Sequence, residues 1–199
     1  MTLQSFDALP EEALKEILAL TEAKKRLDLQ EQAQNKFMPF AHHVYENFIE
    51  GRHHRVIAEK LEAVARGELK RLIINMPPRH SKSEFASYLM PAWFLGRNPK
   101  LKIIQATHNT ELAVRFGRKV RDLIDDPAYR EIFPETNLKE DNKGAGKWGT
   151  DKGGEYFAAG VGAAVTGRGA DLFVIDDPHS EQDAMSDTAF DHAYEWYTS

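Results

Sequence analysis

The chain has 199 residues, 42% hydrophobic and 29% charged, enough for one globular domain with a sizeable core. It contains no cysteine, which excludes disulfides and thiolate metal sites. Its longest apolar run, FAAGVGAAV, is too short and glycine-rich to span a membrane. The net charge of −5 and pI of about 5.9 exclude a uniformly basic nucleic-acid-binding domain, so any DNA contact must come from a local patch or be transient.

The first residues, MTLQSFDALPEE, are acidic and lack an apolar core, so they do not read as a signal peptide. LPEEALKEILALTEAKKRL predicts a helix: Pro10 suits its first position, acids follow, and Leu14, Ile17 and Leu18 share one face. FMPFAHHVYENFIEG predicts a second helical segment. HHRVIAEKLEAVARGELK predicts a third, with Val56, Ile57, Leu61 and Val64 at helical spacing and Gly67 as a stop. The period then changes. RLIINM reads as a strand buried on both faces, followed by a helix over KSEFASYLMPAWFLG in which Pro91 marks a kink or an end.

LKIIQATH predicts a second buried strand, and Asn109 or Thr110 caps the helix TELAVRFGRKVRDLIDD. The polar, glycine- and lysine-rich NLKEDNKGAGKWGTDKGGE reads as a loop or hairpin, and EYFAAGVGAAVTGRGAD as short strands broken by glycine turns. DLFVIDDP predicts a third buried strand ending in two acids. EQDAMSDTAFDHAYEWYTS predicts a last helix with Ala184, Ala189 and Trp196 facing inward. The alternation implies an α/β fold: a mostly parallel sheet with helices on both faces, preceded by a helical amino-terminal segment. Residues 1–69 form the helical lead-in and 70–199 the core of a single domain.

The chemistry gathers around NMPPRHSKSE. The phosphate-loop pattern G-x-x-x-x-G-K-[ST] falls on Met76 to Ser83, with Met76 and Ser81 at the glycine positions and Lys82 and Ser83 retained. Such a loop needs backbone N–H groups aimed at phosphate, a lysine for the β- and γ-phosphates and a hydroxyl for Mg²⁺; glycine supplies conformation, not a chemical group. Asp176, at the end of an apolar strand, suits a Mg²⁺-holding acid, and Asp177 suits a carboxylate that orients the attacking water. Two acids before Pro178 also serve simply to end a strand.

MPPRHSKSE after RLIIN, then ATHNTELAVRFGRKVRDLI, then GVGAAVTGRGADLFVIDDP, in that order, resemble the ATPase domain of tailed-phage terminase large subunits, from about Phe37 to the carboxyl end. The resemblance implies a P-loop NTPase core of the ASCE type that uses ATP and Mg²⁺ to drive viral DNA into a procapsid. It implies that Pro78, Arg79, His80, Ser81, Lys82 and Ser83 cradle the phosphates. Ser83 and Asp176 would hold Mg²⁺, Asp177 would be the catalytic carboxylate, and Arg79, or an arginine from a neighbouring copy, would act on the γ-phosphate. It places His42, His43 and Pro39 at an adenine pocket. Implied partners are double-stranded DNA, the portal protein, the small terminase subunit and further copies in a ring. The implied location is the cytoplasm of an infected bacterial host. The coupling motif would follow the helix ending at Tyr197, and no nuclease domain is read in these residues, so the resemblance implies an ATPase core or a truncated gene product rather than a complete terminase. A helicase-like DNA-dependent ATPase and a non-hydrolysing assembly module are the alternatives.

Three further groups have simpler readings. Arg115, Arg118 and Lys119 form a basic helical face that suits DNA phosphates or plain solvent. Arg168, between glycines, suits phosphate, DNA, a neighbouring subunit or a turn. The pairs His42–His43 and His53–His54 lack the i, i+4 spacing of helical zinc ligands.

Overall fold

The structure, a computed structural model, describes residues 10–165 and 167–198. The opening residues, read above as lacking a leader, lie largely outside the described residues. Three helices come first: α1 (Glu11–Asn35), α2 (Phe37–Val44) and α3 (Arg52–Ala65). Only the far end of α1 packs, with Ala33 buried and its carbonyl accepting the Trp93 indole N–H at 2.8 Å. The expected inner face of Ile17 and Leu18 is exposed.

Phe37 and Phe40 of α2 anchor an aromatic core. Phe37 lies 5.4 Å from Phe85 and 5.5 Å from Trp93 between ring centres, both edge-on, and Phe40 meets Tyr129 edge-on at 6.1 Å. Glu62 of α3 is buried, but its carboxylate accepts the Phe37 backbone N–H at 2.9 Å and pairs with Lys36 at 3.2 Å. That carboxylate meets an open donor and the positive end of α2.

After the loop at 77–81 the chain is helical from Lys82 to Arg97, but not uniformly. Glu84–Leu89 is π-helical, and α4 (Met90–Arg97) continues from it with Pro91 in its first turn. Proline has no N–H and crowds the carbonyl four residues back. A widened turn just before it, with the Met90 N–H bonded to Phe85, accommodates this without ending the helix.

The sheet corrects the expected fold class. Its order is β2–β3–β4–β1–β5, where β1 is Lys102–Thr107, β2 Leu138–Lys143, β3 Lys147–Thr150, β4 Glu155–Gly160 and β5 Leu172–Ile175. β1 pairs in parallel with β4 and β5, while β2–β3 and β3–β4 are antiparallel. The sheet is therefore mixed, and a mostly parallel P-loop core is not what this chain builds. Two segments cause the difference. RLIINM is extended but belongs to no strand: Leu72, Ile74 and Met76 lean on the core while Ile73 is 85% exposed. The polar stretch after Asn137 forms the β2–β3 hairpin, with Trp148 buried and stacked on Tyr156 at 4.8 Å.

Helix α5 (Thr110–Ile124) covers one face, and α6 (Pro127–Ile132) packs its Tyr129 and Ile132 into the core. Register puts Phe157 and Phe173 together on the other face. The Arg168 guanidinium lies 4.0 Å over Phe157, and Trp196 of α7 (Asp187–Thr198) meets Phe173 edge-on at 6.0 Å. Phe173 and Ile175 remain partly exposed, so β5 is a half-covered edge strand and not the buried strand expected. Ala184 falls in a separate 3₁₀ turn, Asp183–Met185, ahead of α7.

Gly117 is where α5 meets the sheet. A Cβ there would lie 2.6 Å from the Ala145 carbonyl oxygen and 3.0 Å from the Tyr156 ring, and the Gly117 carbonyl already accepts the Trp148 indole N–H. Gly117→Ala is expected to destabilise the fold by about 1–3 kcal/mol through overpacking, read as a lower Tm by circular dichroism. Unchanged melting would show that α5 can back away from the sheet.

Candidate active site

The loop between the extended segment and the helix is built on two bends. Arg79 and Ser81 both have φ of 63°, the left-handed region that favours glycine, and the His80 Nδ1–H donates to the Pro78 carbonyl at 2.8 Å. Ser81 occupies the second glycine position of the phosphate-loop pattern and adopts the backbone a glycine would. Its carbonyl accepts the Phe85 N–H at 3.0 Å, so Lys82 and Ser83 stand at a helix amino terminus, where open N–H groups attract anions.

Across from the loop, the end of β5 presents Asp176 and Asp177. Asp176 is 7% exposed; its N–H donates to Ala106 at 2.9 Å, fixing it to β1. Its carboxylate lies 3.2 Å from Lys82 Nζ and accepts the Ser87 hydroxyl at 2.9 Å. Asp177 is more exposed and also binds the Lys82 ammonium. One lysine is thus clasped by two carboxylates from the far end of the sheet, 95 residues beyond it in the case of Asp177. Burial of Lys82 disfavours its charge, but the hydrogen bond to Asp177 and the charge of Asp176 outweigh that, and its pKa lies above the ordinary lysine value.

Of the sequence-derived residues, Lys82, Asp176 and Asp177 converge. Pro78, Arg79 and His80 lie exposed on the same loop. Ser83 is half-buried at the helix start, but the hydroxyl bonded to Asp176 is that of Ser87, one turn further on. Ser87 was not legible beforehand: the motif ends at Ser83, and the π-helical turn that carries Ser87 has no signature in the sequence.

His42 pairs with Glu50 at 2.5 Å, and His43 approaches Glu131 on α6 at 3.2 Å. Pro39 lies on the same helix as both. His53 lies 5.8 Å from His80 of the loop between ring centres, and His54 stacks on Phe85 at 4.9 Å. Burial of His54, with His53 beside it, lowers its pKa. Of the basic helical face, Lys119 is engaged by Glu84 and lies 4.2 Å over the Tyr88 ring, while Arg115 and Arg118 are exposed. Desolvation pushes the Tyr88 phenol up to about 12.

Among the described residues no three His, Cys, Asp or Glu side chains converge as metal ligands, and no helix is long and apolar enough to cross a membrane. The donor set does fit Mg²⁺ in the form it takes with nucleotides, bound by one or two carboxylates with phosphate and water completing the shell. Asp176 and Asp177 already converge on one positive charge, that of Lys82. Searches against family models, curated proteins and solved structures found no match to this chain.

Two outcomes follow from this geometry. Ser81→Gly is expected to stabilise the protein by about 0.5–1 kcal/mol by relieving left-handed strain, and Ser81→Val to destabilise it by about 1–2 kcal/mol. Denaturant titration of both variants checks the order; equal effects would mean that the backbone at 81 is unstrained.

The second concerns Lys82. A folded-state pKa above the unfolded one makes its pairing fully stabilising below the unfolded value and lost as pH rises through the folded value. The contribution is therefore intact at neutral pH and disappears in the alkaline range above ordinary lysine. NMR titration of the Lys82 side chain is expected to give a midpoint above that of exposed lysines, falling in Asp177→Asn. A midpoint indifferent to Asp177 would exclude the clasp.

Proposed function

We propose that this chain binds and hydrolyses Mg²⁺-bound ATP. The observation that carries the reading is the meeting of Lys82 with Asp176 and Asp177 at the mouth of a loop with glycine-like bends. The fold does not carry it, because function is argued from the site.

The triphosphate gives Lys82 a further anionic partner beside its two carboxylates, so the ammonium can exchange those carboxylates for the β- and γ-phosphates. The N–H groups at the start of the helix, at Lys82 and Ser83, receive the same phosphates. Asp176, with the hydroxyl of Ser83 or Ser87, would hold Mg²⁺, which would supply neutralisation of phosphate charge. Asp177, released from Lys82, orients a water molecule and accepts its proton. The water oxygen bonds to the γ-phosphorus, the bond from that phosphorus to the β–γ bridging oxygen breaks, and ADP and inorganic phosphate leave. Arg79, exposed at the bend, offsets charge as it gathers on the departing oxygen.

Together with the ordered motifs that resemble terminase large subunits, this supports the ATPase of a DNA-packaging motor. That motor would work in an infected bacterial cytoplasm and at a procapsid portal. Its partners would be double-stranded DNA, portal protein, small terminase subunit and further copies in a ring. Exposed Arg115 and Arg118 are the local basic surface available for DNA.

The test is Mg·ATP binding and turnover by the purified chain. Wild type is expected to turn over. Asp177→Asn is expected to retain binding and lose at least about 100-fold in kcat, the scale of a general base. Lys82→Ala is expected to weaken binding by about 10- to 100-fold, the value of charged hydrogen bonds. Absence of nucleotide binding by wild type sinks the proposal. Binding without turnover would favour the assembly-module alternative.

A further inference from the structure

We propose that His108 and Asn109 are positioning residues that hold Asp177 in its working geometry, an inference that rests on the catalytic role proposed for Asp177. Asp177 has φ of 45°, a left-handed backbone in a residue with a Cβ, and it precedes Pro178, which favours extended backbone at the residue before it. Local preference therefore opposes this conformation, and outside contacts must impose it.

Those contacts come from the end of β1. The His108 backbone N–H donates to the Asp177 carbonyl at 3.0 Å, and His108 Nδ1 lies 3.3 Å from the same oxygen. A carbonyl only accepts, so Nδ1 carries the proton. In the neutral ring Nε2 is then an acceptor, and the Asn109 amide nitrogen sits 2.7 Å from it. The orientation of that amide is fixed independently. Asn109 Oδ1 accepts the Leu112 N–H at 2.8 Å as the cap of α5, leaving its NH₂ to face the imidazole. The Thr107 hydroxyl donates to the Asn109 carbonyl at 2.6 Å and secures the corner.

Each donor in this chain has one acceptor, and the order runs from the α5 cap through Asn109 and His108 to the Asp177 backbone. The far side of α5 is tied to the phosphate-loop helix through Lys119 and Glu84. One helix therefore sets both sides of the site: its cap holds the water-orienting acid, and its middle holds the helix that starts at Lys82. The sequence marked Asn109 only as a helix cap.

Asn109→Ser separates the two roles, because serine caps a helix as well as asparagine but has no amide donor. Imidazole ¹⁵N NMR is expected to show His108 protonated at Nδ1 in wild type and losing that preference in Asn109→Ser. Steady-state kinetics are expected to show kcat about 10- to 100-fold lower, the usual effect of removing a supporting contact. The Kd for a non-hydrolysable ATP analogue should change by no more than about twofold. An Nε2-protonated ring in wild type overturns the proposal, as does an unchanged kcat in a variant whose tautomer preference is gone. If wild type turns over no ATP, the hydrolysis reading fails separately. Hydrogen exchange of the His108 amide in wild type and Asn109→Ser then decides the positioning claim: faster exchange in the variant supports it, and equal exchange overturns it.

Discussion

Asp176 is an almost fully buried carboxylate at the edge of a sheet, and its surroundings are organised by the need to match that charge. An unpaired carboxylate in such a place would be strongly unfavourable. Lys82 supplies the counter-charge and the Ser87 hydroxyl a hydrogen bond, and both stand on one helical stretch that begins at the phosphate-like loop. The loop is therefore pinned to β5 although no strand pairing connects them. The extended segment 71–76 contributes no ladder hydrogen bonds, so this charge match does the work that β-pairing was expected to do.

That helical stretch is held from behind by aromatic packing. Phe85 sits among Phe37, His54 and Phe48, and Trp93 reaches back to α1 through its indole N–H. The π-helical turn is what permits one element to face the core with Phe85 and Leu89, meet Asp176 with Ser87 and still admit Pro91. Tertiary contacts fix it in a geometry that helical periodicity does not anticipate.

Legibility in the sequence followed the kind of signal. Helices α3 and α5 were readable because their apolar spacing matches a packed face, and Asn109 was readable as a cap because its chemistry is local. RLIINM and LFVI misled because apolar runs report burial without reporting partners. Ile73 is largely exposed, and β5 is an edge. The β2–β3 hairpin hid behind a polar composition, since only Trp148 and a few neighbours face inward. At the site, Lys82, Asp176 and Asp177 were named from motif and position. Ser87 and the His108–Asn109 relay depend on long-range geometry that no spacing rule encodes.

The backbone carries its own record of where the structure is under load. Four non-glycine described residues have positive φ: Asn47, Arg79, Ser81 and Asp177. Asn47 and Asp177 belong to residue types that tolerate that region, but Asp177 precedes Pro178, which favours extended backbone there. Arg79, Ser81 and Asp177 lie on the two segments that meet at Lys82. Each such conformation costs on the order of 1–3 kcal/mol and persists only where its surroundings over-determine it. Here those surroundings can be named. The helix start fixes Ser81 through Phe85, the Pro78–His80 hydrogen bond spans Arg79, and His108 binds the Asp177 carbonyl. Positive-φ strain gathered on both sides of one lysine, and nowhere else among the described residues apart from Asn47, fits the preorganisation that the proposed site requires. A loop that merely joined two elements could relax at 79 and 81 without disturbing the core.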